Sequence, residues 1–294
     1  MPLHFRAISL ALATIGGLCA CSGIGAVSPK ASLHPSTIAA RVSAKPTFTP
    51  TAPPAPTPTP IDATYVASEL GAIEPAIRAT DTTAAEYVAL GHRQQQMYHL
   101  LAAHPEWVPA VFALVQPPTS ATIQANLLAA QQIDSLNGSR TGLPHWRIVA
   151  PPAPEVLLGY YREAQKTFGI PWQYLAAINL IETNMGRIQG LSSAGAQGPM
   201  QFMPATWAAY GRGDVNNPHD AIMAAGRYLQ AAGAARNLSR AIYAYNNSNL
   251  YVRAVTLYAQ QMTDNERAFF GYYNWQVYVA TTAGEVLLPE GFSG

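Results

Sequence analysis

The run Trp172-Gln173-Tyr174-Leu175-Ala176-Ala177-Ile178-Asn179-Leu180-Ile181 constrains this chain most, because it is almost wholly apolar and ends at a carboxylate, Glu182. Read as a helix, it carries apolar residues nearly all round, and such a helix is buried. The fold must then enclose it. A carboxyl at the end of a buried helix loses water, which disfavours its charged form. Its pKa should rise toward neutrality, the range that suits a general acid. On the helix alone, a Glu at a solvated helix end is the commoner arrangement, since perturbed acids are also structural.

The segment that follows shifts that balance. It reads Gly195-Ala196-Gln197-Gly198-Pro199-Met200-Gln201-Phe202-Met203-Pro204-Ala205-Thr206-Trp207. Glycines let a backbone approach a ligand closely. Gln201 offers an amide donor and acceptor of the kind an N-acetylated sugar requires, and Met203 and Trp207 supply apolar surface. A glycine turn before a short helix with Pro204 at its first position accounts for the same residues without a ligand. No Gly-Lys-Ser/Thr follows the glycines, so a phosphate loop is excluded.

Glu182-Thr183, Ser192-Ser193-Ala194-Gly195, Gly198-Pro199-Met200-Gln201-Phe202-Met203-Pro204 and Ala244-Tyr245-Asn246 occur in that order. The ordered set resembles the lytic murein transglycosylases over roughly residues 155–262, and the stretch from Ser193 to Phe202 looks most like their membrane-bound B-type branch. The resemblance implies a lysozyme-like fold and a peptidoglycan substrate, with no metal or organic cofactor. It also implies that Glu182 is the catalytic acid/base. Ser192, Gln201, Met203 and Tyr245 match positions that line the family's glycan groove, and Asn246 completes the Ala-Tyr-Asn motif. The sequence departs from the common pattern at Thr183, which keeps a hydroxyl where Ser is usual, at Met185, at Pro199 and at Asn247-Ser248.

The rest of the chain frames that segment. Charged residues make up only 11% and the net charge is +1, so no strong field exists to attract nucleic acid. Both cysteines, Cys19 and Cys21, lie near the N-terminus, which excludes a disulfide framework in the body. Arg6 followed by the apolar run Ala7–Leu18 fits a signal peptide over residues 1–20 and is too short for a membrane span. Leu18-Cys19-Ala20-Cys21 resembles a bacterial lipobox, with Cys21 as the lipidated residue and the membrane as a partner through that anchor. Residues 21–60 form a Pro/Thr/Ala-rich tether, extended because proline blocks helix and ladder bonds. Helical spacing recurs over 61–78, 84–103, 107–115 and 119–137, so residues 61–150 read as a helical N-terminal region. Its histidines, His92, His99 and His104, have no metal-site spacing. Residues 151–294 read as the lysozyme-like domain. Helices are expected at 155–168, 172–182, from Asn217-Pro218 to Gly233, up to Asn246-Asn247 and over 249–262, with a small hairpin turning at Thr282-Ala283-Gly284. The expected fold class is mainly α.

Most glycosidases need two carboxyl groups. Asp220 is explained as a helix-start residue, Asp264 and Glu266 fall in a polar connector, and Asp214 is the one partner to consider. A single acid suffices if the muramic acid 6-hydroxyl closes on its own anomeric carbon, as the resemblance implies. Three readings remain at this point: a lytic transglycosylase, a hydrolytic muramidase of goose-lysozyme type, and a non-catalytic peptidoglycan-binding lipoprotein.

Overall fold

A computed structural model describes residues 60–294. The expected signal peptide, Cys21 and nearly all of the tether lie outside the described residues. The described residues form one compact unit, and among them no helix is long and apolar enough to cross a membrane.

The unit is mainly helical, as the periodicity predicts. Helices α1 (Ala63–Arg78), α2 (Ala84–Ala103), α3 (Val108–Leu114) and α4 (Thr119–Asn137) come first. Their ends follow local chemistry. The Asp62 carboxylate accepts from Tyr65 N, and Thr83 with Glu86 forms a reciprocal capping box at the start of α2. His104-Pro105 ends α2, and a single 3₁₀ turn, Pro105–Trp107, leads into α3.

Next come α5 (Pro154–Phe168) and α6 (Trp172–Thr183), joined through left-handed Gly169. Then follow α7 (Pro204–Tyr210), α8 (Pro218–Ala231), α9 (Leu238–Asn246), α10 (Asn249–Asp264) and α11 (Ala268–Tyr273). Asn217 caps α8, as expected, by accepting from the amides of His219 and Asp220. Gly233 has positive φ but sits one residue past the C-cap, Ala232.

The apolar run is the interior helix α6. Leu175, Ala176, Ala177 and Ile178 have no exposed surface. Helices α5, α8, α10 and α11 all pack against it. One continuous core runs from Val66 in α1 to Trp275. Helix α4 lies along α10, and α2 lies against α11. The latter contact is close because Gly91 has no side chain: a Cβ there would stand 2.7 Å from both Asn274 Cβ and the Gly271 carbonyl.

Two small antiparallel pairs complete the unit. Strand β1 (Arg147–Ile148) pairs with β2 (Ile188–Gln189). Strands β3 (Val277–Thr281) and β4 (Gly284–Leu288) form the expected hairpin. Thr281 pairs with Gly284, so the turn is Thr282-Ala283 and Gly284 already belongs to the strand. The first strand begins later than alternation suggests, at Val277. Trp275 and Gln276 are instead engaged by α2: the Trp275 indole donates to Gln94 Oε1 at 2.9 Å, and Gln276 N donates to Gln95 Oε1 at 2.7 Å.

Candidate active site

Glu182 sits in the last turn of α6 and is half-buried. The Tyr251 hydroxyl, from the first turn of α10, donates to Glu182 Oε1 at 2.6 Å. Loss of water pushes the Glu182 pKa up to about 7, and the Tyr251 hydrogen bond opposes that rise by favouring the ionised form. Tyr251 itself is fully buried. Burial, and then the neighbouring Glu182 charge, hold its hydroxyl well above the usual tyrosine range, so it stays a donor. The Tyr245 ring lies parallel to that of Tyr251, with centroids 6.4 Å apart.

Just past Glu182 the chain takes a turn that side chains rarely adopt. Asn184, Met185 and Gly186 all have positive φ, which is uncommon outside glycine. Two interactions hold it. Asn184 Nδ2 donates to the Gln276 carbonyl at 2.8 Å. Met185 is fully buried with its sulfur 3.6 Å from the Tyr161 hydroxyl.

The glycine segment forms a tight loop clamped to α6. Gln197 and Phe202 exchange both backbone hydrogen bonds, and Gln201 N closes the turn onto the Gly198 carbonyl at 3.0 Å. Thr183 Oγ1 donates to the Pro199 carbonyl at 2.6 Å, and Asn179 Nδ2 donates to the same oxygen at 2.8 Å. Asn179 is in turn fixed by the Tyr161 hydroxyl, which donates to its Oδ1 at 2.6 Å. The Tyr245 hydroxyl donates to the Met200 carbonyl at 2.7 Å. Gly198 is required twice over: its φ is +72°, and a Cβ would stand 1.9 Å from the Val215 carbonyl.

The residues singled out in the sequence occupy this neighbourhood in different ways. Gln201 has φ +49° and turns its Nε2 back onto the Gly198 carbonyl at 2.9 Å, so one end of its amide braces the loop. The Ser192 hydroxyl accepts from the amides of Ala194 and Ala196 and shapes the loop before Gly198. Met203 is exposed and precedes Pro204 at the start of α7. Trp207, in α7, packs edge-on against Phe202. Asn246 ends α9 and is half-buried. Asp214 is exposed, and its Oδ1 accepts from Asn216 N at 2.9 Å, a bond inside its own loop. Among the described residues, no second carboxylate joins the cluster of Glu182, Tyr251 and Tyr245.

Sequence reasoning missed Tyr251, Asn179 and Tyr161. Each lies at an ordinary core spacing of its helix. Nothing local marks Tyr251 as the residue facing a carboxylate 69 positions away.

No curated protein and no solved structure matches the chain. Residues 159–267, from within α5 to the start of α11 and including Glu182, the clamped loop and Tyr251, match the family model described as the transglycosylase SLT domain.

Proposed function

We propose that the protein is a lytic transglycosylase that cleaves the β-1,4 bond between N-acetylmuramic acid and N-acetylglucosamine in peptidoglycan, leaving a 1,6-anhydro-N-acetylmuramoyl end. The observation that carries this reading is a single acid with a pKa near 7, Glu182, held by Tyr251 without a second carboxylate in its cluster. Near neutral pH such a group is divided between protonated and ionised forms, so it can give a proton and take one back.

In the first half of the reaction, protonated Glu182 gives its proton to the glycosidic oxygen as the bond to the anomeric carbon breaks. The leaving sugar departs with a free hydroxyl. In the second half the muramoyl 6-oxygen bonds to that anomeric carbon, and its proton goes to the Glu182 carboxylate. The acid is regenerated and no water is consumed. Attack from within the same sugar gains from proximity. Tyr251 stabilises the carboxylate between the two proton transfers, when the charge would otherwise be poorly solvated. Gln201, Ser192, Met203, Tyr245 and Asn246 are assigned to holding the glycan, either directly or by bracing the loop. The motif around Gly198 supports placement beside the B-type branch.

Mass analysis of fragments released from purified peptidoglycan tests the reaction. The expected fragments lack a reducing end and are one water lighter than hydrolysis products. Reducing ends that incorporate heavy oxygen from labelled water would instead identify a muramidase. We further propose anchoring outside the cytoplasm through a lipid on Cys21. Cys21→Ala should then release the protein from membranes or block its processing, and unchanged membrane association would refute the anchor.

A further inference from the structure

Helices α9 and α10 each present a second face, turned away from Glu182. On α9, Tyr245 reaches the Met200 carbonyl, while Tyr243, two residues earlier, points about 200° round the helix. On α10, Tyr251 reaches Glu182, while Asn249 lies on the opposite side. Between the outer faces runs a groove of about 390 Å³, lined by Asn237, which caps α9, by Ser239, Arg240 and Tyr243 from α9 and by Asn249 and Val252 from α10. It is shallow and open to solvent, a shape that admits one side of an extended chain.

The segment that carries this groove has charge of one sign. Between Asp220 and Asp264 the sequence contains Arg227, Arg236, Arg240 and Arg253 and no Asp or Glu. Arg236, Arg240 and Arg253 are exposed, and among the described residues none of them forms a salt bridge. Elsewhere in the unit arginines do find carboxylates: Arg93 pairs with Glu69 and Arg162 with Glu266. Within the groove, Tyr243 is 38% exposed and offers a ring face. The Asn237 Oδ1 is already engaged by Arg240 N at 2.9 Å, which leaves its Nδ2 as a donor. Asn249 and Ser239 add neutral polar groups. An aromatic face, side-chain amides and an unpaired guanidinium match a sugar bearing an N-acetyl group and a carboxylate.

We propose that the α9–α10 groove is a second carbohydrate site, which holds a carboxylate-bearing N-acetylated sugar of a neighbouring peptidoglycan strand while Glu182 acts on another. Arg240 pairs with the carboxylate, Tyr243 covers the pyranose face, and Asn237 and Asn249 bond the N-acetyl group. Identifying the strand as peptidoglycan rests on the function proposed above. The site's contribution is retention on insoluble wall, separate from turnover.

Binding and cleavage are therefore measured apart. Co-sedimentation with purified sacculi is read in full-length Glu182→Gln protein, which should not digest them. Adding Arg240→Ala and Tyr243→Ala together is expected to weaken that binding roughly tenfold or more, and to flatten its salt dependence. With Glu182 intact, the same pair should leave cleavage of short soluble glycan fragments within about twofold of the parent, since groove and acid lie on opposite faces. If the pair lowers the melting temperature, Arg240→Gln and Tyr243→Leu are read singly against the same expectations. A parent that does not bind sacculi, a folded variant that binds them equally well, or a parallel fall in soluble turnover each overturns the proposal. Absence of any cleavage by the parent would defeat the transglycosylase assignment, while the difference in sacculus binding still reads the groove.

Discussion

At Glu182, burial and one hydrogen bond act in opposite directions, and burial wins, leaving the pKa near 7 instead of near 4.5. That has a consequence for stability as well as for chemistry. Between those values the folded chain keeps a proton that the unfolded chain has released. The associated stability is fully present below about pH 4.5 and is lost as pH rises through about 7. At pH 8 the folded protein therefore carries an ionised, poorly solvated carboxylate at a cost of ~1–3 kcal/mol. Gln keeps the shape and the acceptor for Tyr251 but cannot ionise. Glu182→Gln should abolish glycan cleavage and yet melt at a higher temperature than the parent at pH 8, with little difference at pH 4. Thermal melts at the two pH values check the sign. Equal melting temperatures at pH 8 would mean the carboxylate is better solvated than its surroundings indicate. Activity of the parent should fall on the alkaline side near pH 7, as the acid loses its proton.

Helix α6 and the loop from Gln197 to Phe202 form one mechanical element, joined at the Pro199 carbonyl. Thr183 Oγ1 donates to that oxygen at 2.6 Å while accepting from Gly186 N at 3.1 Å, so one hydroxyl ties the loop to the turn after Glu182. Thr183→Val keeps the branched shape and removes these bonds, and with them one from Asn179 Nδ2 at 3.2 Å, in a buried site, at an expected cost of ~1–3 kcal/mol. Thr183→Ser keeps the hydroxyl and should retain most of the stability and activity. A calorimetric comparison of the two variants decides it, and a Val variant as stable as the Ser variant would deny the hydroxyl its bracing role. Much of this element was legible in the sequence because its signals are local. The apolar run marked α6, Pro204 marked the start of α7, and Asn217 marked the start of α8. Family motifs marked the loop. Its bracing was not legible: Asn179 looks like a polar interruption of the run, and only the approach of Pro199 and Tyr161 explains it. Likewise α11 and the β1–β2 pair are short, and they form where other elements pack on them. Local pattern therefore said little about either.

Across the whole unit, the helices before residue 150 and those after it share a core and a buried polar network. Glu74 in α1 is 1% exposed. Its Oε1 accepts from Gln94 Nε2 at 2.9 Å, the Tyr98 hydroxyl at 2.5 Å and Asn126 Nδ2 at 3.3 Å. Its Oε2 pairs with Arg78 at 2.5 Å. From there Arg78 reaches Gln261 in α10, Tyr272 in α11 donates to Asn126, and Trp275 donates to Gln94. The network ties α1 to α2, α4, α10 and α11, so removing its centre strands several donors at once. A buried charge pair adds little net stability over an apolar replacement, but losing one partner is costly. Glu74→Ala should therefore destabilise the protein by about 3–5 kcal/mol. Because Arg78 and Tyr272 carry the loss into α10 and α11, the loss should reach the helix that holds Tyr251 against Glu182. The expected result is one cooperative transition at lower temperature, in which helical circular dichroism, tryptophan fluorescence and glycan cleavage disappear together. Cleavage that survives the loss of helical signal would show that the segment from α5 onward folds independently of α1–α4.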